Sequence, residues 1–191
     1  MRRNVKFSKQ LILKDGRNCI LRNANQMDAS DFVEYFKAVH SETDFLTTYP
    51  DEFKATTVEV AQNLKQKVDS ETDIEICAFI DGKLIGSAGI STIAPCDKTK
   101  HRAEFGISIM KDYWSLGIGM AMTEYCIECA RQAGYLQVEL EVVAENRAAV
   151  KLYEKLGFVE FGRNPLGFIT RDGKKQELIY MRLEINQEER R

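Results

Sequence analysis

The sequence is poor in the residues that carry metal and redox chemistry. It has two histidines, His40 and His101, one tryptophan, Trp114, three prolines and five cysteines. Neither histidine stands at metal-ligand spacing from a second ligand, so no metal site is expected. Cys19, Cys77, Cys96, Cys126 and Cys129 are odd in number and follow no disulfide framework, which fits reduced thiols in a reducing compartment. Cys126 and Cys129 form a C-x-x-C, but inside a helical pattern, where they read as small core residues. No apolar run approaches the roughly 20 residues that cross a bilayer. The basic start, Met1-Arg2-Arg3-Asn4-Val5-Lys6, is followed by no apolar signal core. The expectation is a cytoplasmic protein without membrane contact. A dominant charge is missing too: 27 Lys and Arg face 29 Asp and Glu, a formal charge of −2. That argues against a nucleic-acid partner, whose binding rests on a basic face.

What is present is a globular balance, 44% apolar and 29% charged over 191 residues, of a size for one domain. Gln10 to Lys14 and Asn18 to Ala24 flank Asp15-Gly16, a hairpin turn. Helices are expected from Met27 to His40 and from Thr57 to Val68, with loop between Ser41 and Lys54. Ile74 to Ile80 and Leu84 to Ile93 read as strands around Asp81-Gly82, and Ala103 to Met110 alternates as a third. A loop then enters a helix near Gly117, whose apolar stripe ends at Gly134. Val138 to Val143 is a strand with Glu139 and Glu141 on its polar face, and Asn146 caps a helix running to Leu156. Phe158 to Gly162 follows, then a last hairpin, Phe168 to Arg171 and Leu178 to Ile185, around Asp172-Gly173. This order predicts an α/β or α+β fold, a mixed sheet with helices on both faces.

The informative junction is strand, loop, helix: Ile107-Ser108-Ile109, then Met110 to Leu116, then Gly117-Ile118-Gly119. Glycines at a helix start admit close backbone approach and leave N–H groups for phosphate oxygens; they also serve as plain turns. A P-loop is excluded, because no Lys-Ser/Thr follows the glycines. A dinucleotide fingerprint would need a third glycine where Met122 stands, although Glu139 and Glu141 lie at fitting distances for a ribose contact.

The stretch from Glu104 through Ile107, Ile109, Trp114 and Gly117-Ile118-Gly119 to Ala121 resembles the acetyl-CoA-binding motif of the GNAT superfamily, [Q/R]-x-x-G-x-[G/A]. Asn146-Arg-Ala-Ala-Val-Lys-Leu-Tyr-Glu-Lys-Leu-Gly-Phe158 is similar to that family's second motif. The resemblance covers about residues 18 to 185 of a single acetyltransferase domain, with 1 to 17 as an N-terminal arm or extra strand. It implies a mostly antiparallel central sheet and an N-acetyltransferase that moves the acetyl group of acetyl-CoA to a primary amine by direct attack in a ternary complex. The acceptor is then a small amine, an amino acid or a protein N-terminus, and a homodimer is one assembly open to it. A non-catalytic acyl-CoA sensor and a dinucleotide-dependent oxidoreductase are the alternatives.

By the same resemblance, Trp114, Ser115, Leu116, Gly117, Ile118, Gly119 and Met120 form the pyrophosphate cradle. Trp114 occupies the place usually held by Gln or Arg, as in the branch with ribosomal-protein and amino-acid acetyltransferases. The backbone of Ile107 and Ile109 pairs with the pantetheine arm where this strand and Val138 to Val143 splay apart. Asn146 adds a hydrogen bond to that arm beside its role as a cap. Tyr153 protonates the departing thiolate; otherwise it is a core aromatic. Glu104 receives the amine's proton; otherwise it pairs with Arg102 or a lysine. The loop from Ser41 to Lys54, with Glu42, Asp44, Asp51 and Glu52 among Phe45, Tyr49 and Phe53, suits a cationic acceptor; charges on a loop are also commonly just solvated. The final hairpin is similar to the C-terminus of amino-acid acetyltransferases of the superfamily.

Overall fold

The computed structural model describes residues 7–185; the basic start noted above lies outside them. In chain order the elements are β1 (Ser8–Ile12), β2 (Asn18–Asn23), α1 (Ala29–Ser41), α2 (Thr57–Asp69), β3 (Ile74–Ile80), β4 (Lys83–Thr92), β5 (Arg102–Ile109), α3 (Ile118–Ala133), β6 (Gln137–Val143), α4 (Arg147–Lys155), β7 (Val159–Ile169) and β8 (Lys175–Glu184). The strands form one sheet in the order β1-β2-β3-β4-β5-β6-β8-β7. Every neighbouring pair is antiparallel except β5 and β6.

Alternation along the strands divides the core into two layers. On β3, Ile74, Ile76, Ala78 and Ile80 face a cluster built with Ile118, Met122, Cys126 and Cys129 of α3 and Tyr153 of α4. Cys77 and Phe79 face the other way, onto Tyr35 and Val39 of α1 and Val60 and Leu64 of α2. Helices therefore cover both faces of a mostly antiparallel sheet. Cys126 and Cys129 are small core residues, 0% and 1% exposed, and burial pushes the Cys129 thiol up to about 11. Among the described residues no helix is long and apolar enough to cross a membrane.

Local chemistry sets most boundaries. α2 starts at a reciprocal cap, in which Thr56 Oγ1 accepts from Glu59 N and the Glu59 carboxylate accepts from Thr56 N. α1 begins two residues later than its apolar pattern predicts, after a 3-10 turn, Gln26–Asp28, capped by Asn25. Arg22 grips Asp28 there with two bonds of 2.7 and 2.6 Å and fixes that turn.

The largest departure is β7, one strand where a short segment and a separate hairpin arm are expected. Its register shifts between Glu160 and Gly162 and between Asn164 and Phe168 absorb the irregular middle. Pro165 is tolerated because β7 is an edge strand, where a missing N–H breaks no ladder. Gly167 is needed for contact: a Cβ there would come within 2.3 Å of Leu178 Cγ.

Candidate functional site

The site begins where β5 and β6 part. They pair only over Arg102, Ala103 and Glu104, against Gln137, Val138 and Glu139. Hydrogen-bond parity decides what the opening exposes. Met110 N–H donates to Ile85 O at 2.9 Å and Ile93 N–H to Arg102 O at 3.3 Å. The even residues of β5 thus turn their backbone groups to β4. The odd residues turn theirs to the other edge, where His101 O accepts from Gln137 N at 3.2 Å. Past Glu104 the backbone N–H and C=O groups of Phe105, Ile107 and Ile109 face the gap.

The chain leaves β5 through a 3-10 turn, Lys111–Tyr113, and reaches α3 by way of Trp114, Ser115, Leu116 and Gly117. Ser115 (φ 64°) and Gly117 (φ 94°) are left-handed. Such a turn curls successive N–H groups inward, and a non-glycine residue held there stores about 1 kcal/mol or more. The first N–H bonded inside α3 is Ala121 to Gly117 O at 3.2 Å. Those of Ile118, Gly119 and Met120 have no intrahelical acceptor and stand at the positive end of a 16-residue helix.

Gly119 is a glycine that packing does not demand. A Cβ there would lie 3.5 Å from Ile109 Cδ1 and 3.6 Å from Leu152 Cδ1, ordinary contacts, so the fold itself accepts a side chain. A glycine that the fold does not require, at a helix start, suits close approach by phosphate oxygens. The Trp114 indole N–H donates to Ile109 O at 2.6 Å. Asn146 Oδ1 accepts from Ala149 N at 3.3 Å, capping α4 and leaving its amide N–H₂ for another partner.

Tyr153 and Glu104 flank the gap from opposite faces. Tyr153, on α4, is 6% exposed and meets Phe105 of β5 edge-on, ring centres 6.2 Å apart. Its phenol oxygen makes no hydrogen bond to the described residues, and burial pushes its pKa up. Glu104 projects to the α1–α2 side. The pairing with Arg102 considered above does not form, because Arg102 binds Glu139, Nη2 to Oε2 at 2.7 Å. That leaves Glu141, one pleat further along β6 and on the same face as Glu104. Glu141 is exposed as a residue, yet partial burial of its carboxyl and then the charge of Glu104 push its pKa up. In the sequence Glu141 stands out only at a fitting distance for a ribose contact, not as a neighbour of Glu104. Its signal was the alternation of Glu139 and Glu141 on a strand bordering the gap.

On that face a pocket of about 350 Å³, lined by His40, Ser41, Glu42, Thr43, Asp44, Tyr49 and Pro50, opens at the end of α1. His40 stacks on Phe36 and donates Nδ1–H to its carbonyl at 2.8 Å, and burial holds its pKa down. Three of the four loop carboxylates expected to receive a cation have structural work. Glu42 accepts from Lys111 N at 2.7 Å, Glu52 from Tyr49 N at 2.7 Å, and Asp51 takes both bonds of Arg171 at 2.8 and 2.9 Å. Arg171, from the β7–β8 turn, also lies 4.0 Å over the Tyr49 ring. The loop after α1 and the β7–β8 turn are thereby tied together.

The acetyltransferase (GNAT) family model matches residues 36–158. Over 83 residues the chain is 41% identical to "Probable N-acetyltransferase camello" of Xenopus tropicalis, 42% of this chain and 36% of that protein. Over 75 residues it is 37% identical to the ribosomal protein bS18-alanine N-acetyltransferase of Escherichia coli K12, 39% of this chain and 51% of that one. The matched stretch thus spans about a third to a half of these curated relatives. Among solved structures, an acetyltransferase of the GNAT family from Streptococcus pneumoniae superposes with a TM-score of 0.84 at 32% identity, covering 87% of this chain and 99% of that one. The yncA protein of Salmonella typhimurium, solved with its cofactor acetyl-CoA, gives 0.77 at 17% identity over 88% and 95%, a likeness of fold.

Proposed function

The chain belongs to the acetyltransferase (GNAT) family, and from that premise we propose that it moves the acetyl group of acetyl-CoA to a primary amine, by direct attack in a ternary complex. The observation that carries this reading is the parting of β5 and β6 beside the unbonded N–H groups at the start of α3. A continuous sheet from Ser8 to Glu184 supports one acetyltransferase domain.

Acetyl-CoA supplies an activated thioester; the chain supplies position and protons. The N–H groups of Ile118, Gly119 and Met120 hold the pyrophosphate, and the cleft-facing backbone of Ile107 and Ile109 aligns the pantetheine arm. A backbone N–H aimed at the thioester oxygen stabilises the charge that develops there, an effect of about 3 kcal/mol in comparable sites. The amine enters from the α1–α2 face, where Glu104 and Glu141 present carboxylates without a cationic partner among the described residues. As the N–C bond forms and the C–S bond breaks, the amine's proton passes to Glu104, directly or through water, and the Tyr153 phenol protonates the leaving sulfur. The thiolate leaves into the apolar layer around Tyr153, where desolvation raises its own proton affinity and favours that transfer. The same carboxylate pair suits an acceptor that arrives as an ammonium.

Kinetics across pH with a cationic amine, following release of the CoA thiol, test this assignment. Glu104→Gln is expected to lose most rate at low pH and to approach wild type at high pH, where the acceptor is already neutral. A loss equal at every pH would make Glu104 a positioning group. The sign for its neighbour is opposite: removing the Glu104 charge lets Glu141 ionise at lower pH. A rise shifted to lower pH with an undiminished plateau would move the base to Glu141.

A further inference from the structure

Trp114 is the only tryptophan of the chain, and its indole N–H closes on Ile109 O at 2.6 Å. We infer that this bond is a gate on the pantetheine track, released when the arm of acetyl-CoA takes over the Ile109 carbonyl. The inference rests on the acetyl-CoA reading above.

The carbonyl concerned is not an ordinary one. Met110 N–H turns back to Ile85 O, so Ile109 carries the last cleft-facing acceptor of β5. An extended arm with two amides that pairs along the strand uses alternate residues, here Ile107 and Ile109. The indole therefore occupies the rung that such an arm needs. Trp114 is 40% exposed and belongs to neither buried cluster, so rotating it away disturbs no core packing. The loop backbone does not depend on the indole either. Trp114 N–H donates to Lys111 O at 3.1 Å, and Lys111 N–H is held by Glu42 at 2.7 Å. Trp114 is thus a positioning residue that keeps the mouth of the track closed in the free protein.

The alternative is a brace that simply stiffens the cofactor loop, and the two predict opposite results. Trp114→Phe keeps an aromatic ring and removes the N–H. As a gate it loses a bond made only in the free protein. Calorimetry should then show CoA bound about two- to ten-fold more tightly than by wild type. The affinity for 3′-phospho-ADP, which carries the pyrophosphate but no pantetheine, should be unchanged. In the wild-type protein CoA should shift the tryptophan emission and 3′-phospho-ADP should leave it in place. Weaker binding of both compounds by Trp114→Phe, or an emission that CoA does not move, would overturn the gate while leaving the cofactor site intact. Absence of binding heat with both compounds in wild type would instead sink the acetyl-CoA reading, and the gate with it.

Discussion

Tyr153→Phe is expected to lower turnover by about 10²–10⁴-fold while the affinity for acetyl-CoA stays close to wild type. The ring keeps its edge-on contact with Phe105, 6.2 Å between centres, and its contact with Phe158 at 5.8 Å. The phenol oxygen has no hydrogen-bond partner among the described residues, so removing it orphans no buried group and should cost the fold little. What it removes is a proton donor beside the gap. Burial holds the phenol protonated across the working pH range, so the loss should be nearly the same at every pH. That flat profile separates it from Glu104→Gln, whose effect shrinks as the amine loses its proton. An intact kcat in Tyr153→Phe would return the residue to the core, as the aromatic contact that its burial alone explains.

The second large effect is on binding. Gly119→Asp should weaken acetyl-CoA by about 10²–10³-fold, since a unit charge about 4 Å from a phosphate oxygen repels it by roughly 4 kcal/mol at an effective dielectric of 20. The new Cβ meets only Ile109 Cδ1 and Leu152 Cδ1 at contact distance. An acidic residue in the first turn of a helix is itself favourable. Stability should therefore hold while affinity collapses. Calorimetry with acetyl-CoA, with NAD as the comparison ligand, reads both points. Unchanged acetyl-CoA affinity in a folded Gly119→Asp, or binding of NAD in preference, would put the cradle elsewhere.

The parts of this site that sequence makes legible are those fixed by a few neighbouring residues. Asn146 reads as a cap because a cap is a contact three residues long. The loop into α3 reads from Gly117, whose left-handed φ and helix-start position are local requirements. Asp81-Gly82 reads as a turn for the same reason, with φ of 50° and 80°. What stays hidden depends on register between distant strands. Arg102 could take Glu104 or Glu139, and only the parallel pairing of β5 with β6 brings it to Glu139. With Arg102 taken, Glu104 is left beside Glu141, which no spacing rule singles out as a base. The acidic loop after α1 offers carboxylates either to a cation or to solvent. Its Asp51 is instead held by Arg171, 120 residues away in sequence. β7 runs unbroken through Pro165, whose tolerance follows only from the strand's place at the sheet edge.

The most direct test of the central claim is release of free CoA thiol from acetyl-CoA by the purified chain against a panel of amines: free amino acids, polyamines, small cationic amines and a peptide with a free N-terminus. Amine-dependent release is expected with at least one of them, with mass spectrometry showing the acetyl group on its nitrogen, and with loss of that release in Tyr153→Phe. Acetyl-CoA bound in the cleft, with no amine of any class acetylated, would contradict that claim and leave an acyl-CoA sensor in place of the enzyme.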